Sequence, residues 1–243
     1  MKSYVVVDND GFIVDASYGE HWAWQRIGAP FTLSEVQRAS AEALIERTYP
    51  AEVQAAVYRD FRAALEDPKR AEFDMPLPGA VEAMHRLQKE GLLLAITTGR
   101  HERLRASTCH TLHHFGFPGF YDPDRVRSGE PVNLLYMRNW LEDGEDPRVS
   151  DTRTKDGAIK DILRRAPIVA GGGDRPADSD AFQENNVPAF IIPSYPRDWY
   201  ATRLIPRPVG GMRQGMTFVG NLLEFVDRVL SVRDEDFPSG RSG

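Results

Sequence analysis

The chain has 243 residues, of which 41% are hydrophobic and 27% charged, and its formal net charge is -6. That length holds one large α/β domain, or a core domain with a small accessory one, and the acidic balance argues against a surface built for long nucleic acid. A single cysteine, Cys109, excludes an intrachain disulfide and fits a reducing cytoplasm, while no apolar run approaches the ~18 residues that span a membrane and the N-terminus lacks a signal-peptide pattern.

The first element is Val5-Val6-Val7, a β-branched run that suits a strand buried on both faces. It ends in Asp8-Asn9-Asp10-Gly11, two carboxylates spaced i, i+2 and then a glycine that allows a tight turn. Carboxylates this close repel unless a cation or shared proton relieves them, and a hard divalent ion such as Mg2+, held through oxygen, would do so. The same tetrad also occurs in ordinary turns. A calcium loop would need further oxygen ligands at fixed steps and a closing Glu, which Phe12-Ile13-Val14 do not supply.

Residues 33–49 and 51–65 carry apolar positions at helical spacing, Val36, Ala39, Ala43 and Leu44 in the first and Val53, Val57, Phe61 and Leu65 in the second. Thr32 or Ser34 can cap the first helix and Pro50 can start the second. Asp67-Pro68 marks a break. Residues 15–74 therefore read as a small helical unit inserted after the first strand. Its Tyr18, His21, Trp22 and Trp24 read as core and hinge residues before substrate contacts.

After a turn at 76–79, residues 80–90 form an amphipathic helix closed by Gly91. Residues 92–96 form the next buried strand, and Thr97-Thr98-Gly99-Arg100 follow it. A threonine hydroxyl, exposed amides and a guanidinium can take a phosphate together; an ordinary polar strand end has the same look. Cys109 reads as a structural thiol. His110, His113 and His114 lack a matching ligand set for zinc. Residues 136–142 read as a helix and 143–147 as a loop. Residues 151–157 open a helix over 158–165, which puts Lys155 at a helix start, where the dipole disfavours a cation. A strand over 167–170 runs into Gly171-Gly172-Gly173-Asp174, with Asp178 close behind. A last strand is expected over 189–192, an amphipathic helix over 216–230, and a disordered polar tail over 233–243.

Strands alternating with helices imply a parallel sheet covered on both faces, and the unusual residues cluster at four strand ends. In that order the chain resembles the haloacid dehalogenase (HAD) superfamily of phosphohydrolases: Asp8-Asn9-Asp10-Gly11 is similar to its first motif, Thr98 to its second, Lys155 to its third, and Gly173-Asp174 through Asp178 to its fourth. The resemblance covers about residues 4–195. It implies an α/β fold, a Rossmann-like core (1–14 and 75–232) with a parallel sheet flanked by helices, plus a small α-helical cap of the C1 type (15–74). It implies a phosphatase on a small phosphorylated metabolite, a nucleotide among the candidates. Asp8 would be the nucleophile and Asp10 the acid and base. Mg2+ would sit on Asp8, the Asp10 carbonyl and Asp174. Asn9, Thr98, Gly99, Arg100 and Lys155 would hold the phosphoryl group, with Asp178 in support. The carboxylate at Asp10 sets dehalogenation aside. Phe12 departs from the family, which has Thr or a small aliphatic residue there.

A narrower resemblance links Thr98-Gly99-Arg100, residues 137–143, residues 151–156 and Gly173-Asp174-Arg175 to the 3′-phosphatase domain of phage-type polynucleotide kinase/phosphatases. There Arg100 and Asp151 would assist catalysis on 3′-phosphorylated nucleic-acid ends. The acidic balance, the lack of a kinase phosphate loop and the expected cap favour the small substrate. A phosphomutase and a non-catalytic binding protein on the same fold are the remaining alternatives.

Overall fold

A computed structural model describes residues 2–127, 130–138, 147–193 and 216–236. Strand β1, Tyr4–Asp8, is buried at every position. Its alternate residues serve opposite faces, as a strand's period of two requires. Val5 and Val7 enter one apolar core and Tyr4 and Val6 another. The sheet has six strands, in which β1 is followed outward by β4 (Leu93–His101) and β5 (Leu134–Arg138) on one side. On the other side come β6 (Ile168–Gly173), β7 (Ala189–Ile191) and β8 (Met216–Phe218). Every neighbouring pair is parallel. Helices α5 (Ala80–Lys89) and α9 (Leu222–Asp236) cover one face, with α6 (Arg105–His114) beside them. Helices α7 (Pro147–Arg165) and α8 (Pro176–Glu184) cover the other.

Chain order runs away from β1 in both directions, so the sheet reverses its winding there. Ligands of open α/β sheets bind beyond the carboxyl ends of strands at such a reversal. Asp8 is the last residue of β1, level with Thr97 of β4, while Val7 pairs with Gly172 of β6.

Between β1 and β4 stand α1 (Ser17–Arg26), α2 (Leu33–Val36), α3 (Ala41–Thr48) and α4 (Ala51–Leu65). They share a core of their own. Trp24 stacks on Phe61, ring centroids 3.7 Å apart, and meets Phe31 edge-on at 4.9 Å. The chain enters and leaves this unit through adjacent strands β2 (Val14–Asp15) and β3 (Met75–Pro76), paired antiparallel.

Several elements differ from the sequence expectation. The helix read over 33–49 is two helices, because Ser40 accepts from the Ala43 N–H and starts a new one. Thr32 caps the first through a capping box with Glu35. Residues 134–138 are strand rather than part of a helix, since they pair with β4 from Ala95 to His101. The remainder of that expected helix, 139–142, and most of the expected loop, 143–146, lie outside the described residues. Helix α7 begins at Pro147, so Lys155 is in mid-helix rather than at a start. Residues 216–218 are an edge strand and α9 begins only after Asn221, whose Oδ1 accepts from Leu223 and Glu224. That helix runs to Asp236, into the expected tail; residues 237–243 lie outside the described residues.

Candidate active site

The chain turns sharply after Asp8. The Asn9 carbonyl accepts from Ile13 and Val14, and the Gly11 N–H donates to the Val14 carbonyl at 2.8 Å. Gly11 stands at φ +83°, and a Cβ there would collide with the Asp174 carboxylate. Glycine is thus required twice over, by its backbone angle and by the closeness of Asp174. Phe12 points back into the core, where its ring lies over Gly172 and meets Phe225 edge-on at 5.0 Å. The departure at Phe12 is an apolar wedge that fixes this turn to the neighbouring strand.

The three glycines belong to β6, which runs past the expected end at 170. They are strand residues that make room for neighbours: a Cβ would collide with Phe182 at Gly171, with Phe12 at Gly172 and with Asp178 at Gly173. Asp174 and Asp178 follow and are almost fully buried. Asp178 Oδ2 accepts from the N–H groups of Asp174 (3.1 Å) and Arg175 (2.9 Å), which fixes the start of α8. Its other oxygen pairs with Lys155, whose Nζ also lies 3.1 Å from Asp8 Oδ1. Lys155 therefore reaches down from α7 to a carboxylate on each side.

Asp8, Asp174 and Asp178 offer one oxygen each within 4.8 Å of one another, all buried, the one such group among the described residues. Burial pushes the Asp8 carboxyl well above its ordinary range, Lys155 pulls it down, and Asp178, Asp174 and Asp10 push it up again. An all-oxygen donor set with more buried negative charge than one lysine offsets fits a hard divalent cation such as Mg2+. Asp8, the Asp10 carbonyl and Asp174 are the expected ligands, and the side chains of Asp8 and Asp174 meet here with Asp178 beside them.

The Asp10 carboxylate faces the other way. Arg100 Nε lies 3.0 Å from both its oxygens, Arg70 donates to Oδ1 at 3.2 Å, and the Thr98 hydroxyl donates to Oδ2 at 3.1 Å. Burial pushes this group up, but Arg100, then Arg70, hold it below the usual carboxylate range. Arg100 is itself buried and also pairs with Asp74 at 2.7 Å. Thr98 and Arg100 lie within β4, not beyond it, at a register irregularity between Thr98 and His101. Such irregularities re-aim side chains beside active sites. The Thr98 hydroxyl also accepts from the Arg100 N–H at 3.1 Å. Buried Asn9 takes Arg100 Nη2 at 3.2 Å when its carboxamide oxygen faces that group. Gly99 lines the cleft. Asp151 lies in α7, and its side chain is outside the described set.

Arg70 and Asp74 carried no signal in the sequence. They sit on the turn leaving the inserted unit and become site residues only through tertiary approach. Arg62 and Glu20, also in the cleft wall, come from that unit too. Cys109 behaves as a packing residue: burial pushes its thiol up, away from a reactive thiolate. The only described carboxylate, histidine or cysteine group suited to a metal excludes His110, His113 and His114. No described helix is long and apolar enough to cross a membrane.

No protein-family model matches the chain, and no curated protein matches it. Solved structures do. A predicted phosphatase from Clostridium acetobutylicum is similar at 13% identity and TM-score 0.61, over 95% of this chain and 99% of that one. Protein Tyrosine Kinase A of Mycobacterium tuberculosis is similar at 16% identity and TM-score 0.59, over 94% and 98%. A Bacillus subtilis protein assigned to the HAD-hydrolases, whose structure is bound to magnesium, is similar at 15% identity and TM-score 0.51, over 94% and 99%. At such identities the likeness establishes a fold. Since phosphatases and a named kinase share it, the reaction has to be argued from the site.

Proposed function

We propose that this chain, which has the fold of the HAD-like hydrolases, is a Mg2+-dependent phosphomonoester hydrolase that acts through an aspartyl-phosphate on a small phosphorylated metabolite in the cytoplasm. The observation that carries the reading is the buried meeting of Asp8 with Lys155, Asp174 and Asp178 at the reversal point of the sheet. A single polar strand end has many explanations. A carboxylate held between a lysine and two further carboxylates in a cleft has few outside phosphoryl chemistry.

In this reading an Asp8 oxygen attacks phosphorus, the bond to the leaving oxygen breaks, and that oxygen takes a proton from Asp10. Asp10 then accepts a proton from water as the water attacks the aspartyl-phosphate, freeing phosphate and Asp8. Bound Mg2+ would offset repulsion between the anionic nucleophile and the anionic ester. Lys155 and Thr98 steady charge on the phosphoryl oxygens. Asp10 can carry a proton only once its guanidinium partners loosen. Arg70 is the partner able to leave, because Arg100 is fixed from behind by Asp74. An arriving phosphate that draws Arg70 to itself would remove one of the two cations that hold Asp10 below the usual carboxylate range. Residues 15–74 serve as a cap in this scheme, since they supply Arg70 and the outer wall of the cleft.

The test is phosphate release from a panel of phosphomonoesters, including 3′- and 5′-nucleotides and a short 3′-phosphorylated oligonucleotide, with Mg2+ and with EDTA. Metal-dependent release, greater on small esters than on the oligonucleotide, is the expected result. Release undiminished by EDTA would contradict the metal assignment. A strong preference for the oligonucleotide would move the substrate to nucleic-acid ends.

A further inference from the structure

The cleft wall contributed by α4 carries a guanidinium that the scheme above leaves unused. Arg62 lines the cleft, and its Nε is buried without a hydrogen-bond partner. A buried donor left unmet costs free energy, so it needs a reason. Its natural helical partner would be Glu66, four residues on. Glu66 is instead taken by Arg103 and, at 3.7 Å, by Arg138. The cations nearer the reacting centre are also engaged: Arg100 by Asp10 and Asp74, Arg70 by Asp10, and Lys155 by Asp8 and Asp178. Arg62 thus lines the cleft with no ion partner among the described residues, while Glu66 is engaged by two other arginines. In a chain of net charge -6, such a cation is not the overspill of a basic surface.

We propose that Arg62 holds a second anionic group of the substrate, so that the enzyme prefers phosphomonoesters that also carry a carboxylate or a further phosphate. The inference rests on the phosphomonoesterase reading and narrows it. A planar guanidinium suits either oxyanion, since both accept two parallel N–H bonds. Arg62 belongs to the inserted helices, so an anion held there also ties the substrate to the cap side of the cleft while the ester faces Asp8.

The experiment compares kcat/KM with Mg2+ on matched substrates for the wild-type protein, Arg62→Ala and Arg62→Lys. One pair is glycerol 3-phosphate and 3-phosphoglycerate. Another is a nucleoside 3′-monophosphate and its 3′,5′-bisphosphate. A 3′-phosphorylated dinucleotide tests a diester as the second anion. The wild-type protein is expected to favour the doubly anionic member of at least one pair by about tenfold or more, as one charge-assisted contact allows. Arg62→Ala lowers that preference by about tenfold, mainly through KM, and Arg62→Lys retains part of it. The favoured pair identifies the source of the anion. A wild-type protein indifferent to the second anion in every pair would overturn the inference, as would an unchanged preference in Arg62→Ala. Absence of phosphate release from every substrate would instead bring down the hydrolase reading, so the two failures are distinguishable.

Discussion

Replacing Phe12 with alanine tests whether the residue that departs from the family pattern is a structural wedge. Phe12 is fully buried, faces Gly172 and packs edge-on against Phe225. Glycine at 172 offers no side chain that could swing into the space left behind, and Phe225 is itself buried against Phe190. The cavity should therefore stay open, and a Phe→Ala change in such a site costs about 3–5 kcal/mol. Roughly 1 kcal/mol of that is the ring–ring contact. At about 2–4 °C per kcal/mol for a chain of this size, the melting temperature should fall by roughly 6–20 °C. The assay is thermal unfolding by circular dichroism, with phosphate release measured well below the transition. Because Phe12 anchors the turn that carries Asp8 and Asp10, activity should fall as well. A shift of less than about 2 °C would refute the wedge, since no well-packed aromatic is removed so cheaply.

Gly11→Ala should cost more in activity than in stability. The new Cβ meets the Asp174 carboxylate in a backbone geometry that alanine resists, so titration of the folded variant with Mg2+ should show weakened binding. Lys155→Gln removes the cation between Asp8 and Asp178; phosphate release should drop by about a hundredfold or more, with the secondary structure retained in circular dichroism. Away from the site, Asp161 accepts from Tyr136 at 2.6 Å, Arg164 at 2.8 Å and Arg165 at 2.9 Å. Burial pushes its carboxyl up, but the hydrogen bonds from Tyr136 and the two arginines outweigh that and hold it below the usual range. A depressed native pKa stabilises the fold above the unfolded pKa, and that stability is lost as pH falls through the native value. Urea unfolding should thus show Asp161→Asn about 1 kcal/mol less stable than wild type at pH 7. The gap should close below about pH 4, where the unfolded carboxylate protonates.

The central strand and its carboxylates were legible because β-branched residues followed by Asp-x-Asp-Gly leave few local alternatives. Part of the core of the inserted helices was legible too, since Phe61 falls at helical spacing with Val53 and Val57 and meets Trp24, read as a core residue, although the helix that carries Trp24 was not expected. Short apolar runs misled. Tyr136 and Met137 fit a helical period over a few residues, yet pairing with β4 decides their state, and such pairing leaves no local mark. The strand expected to stop at 170 continues through Gly171-Gly172-Gly173, because it needs glycine there to admit Phe182, Phe12 and Asp178. Arg70 and Asp74 were invisible for a different reason. Arg70 steadies Asp10 from 60 residues away in sequence and Asp74 steadies Arg100 from 26, which only the fold brings about.

The central claim is that Asp8 becomes covalently phosphorylated. The direct measurement is acid quenching of the Mg2+-loaded protein within milliseconds of mixing with its best substrate, followed by peptide mass spectrometry. The account predicts one added phosphoryl group on the peptide that contains Asp8, decaying as free phosphate appears, and neither signal in Asp8→Asn. Phosphate release that proceeds in Asp8→Asn at a rate near that of wild type would contradict it.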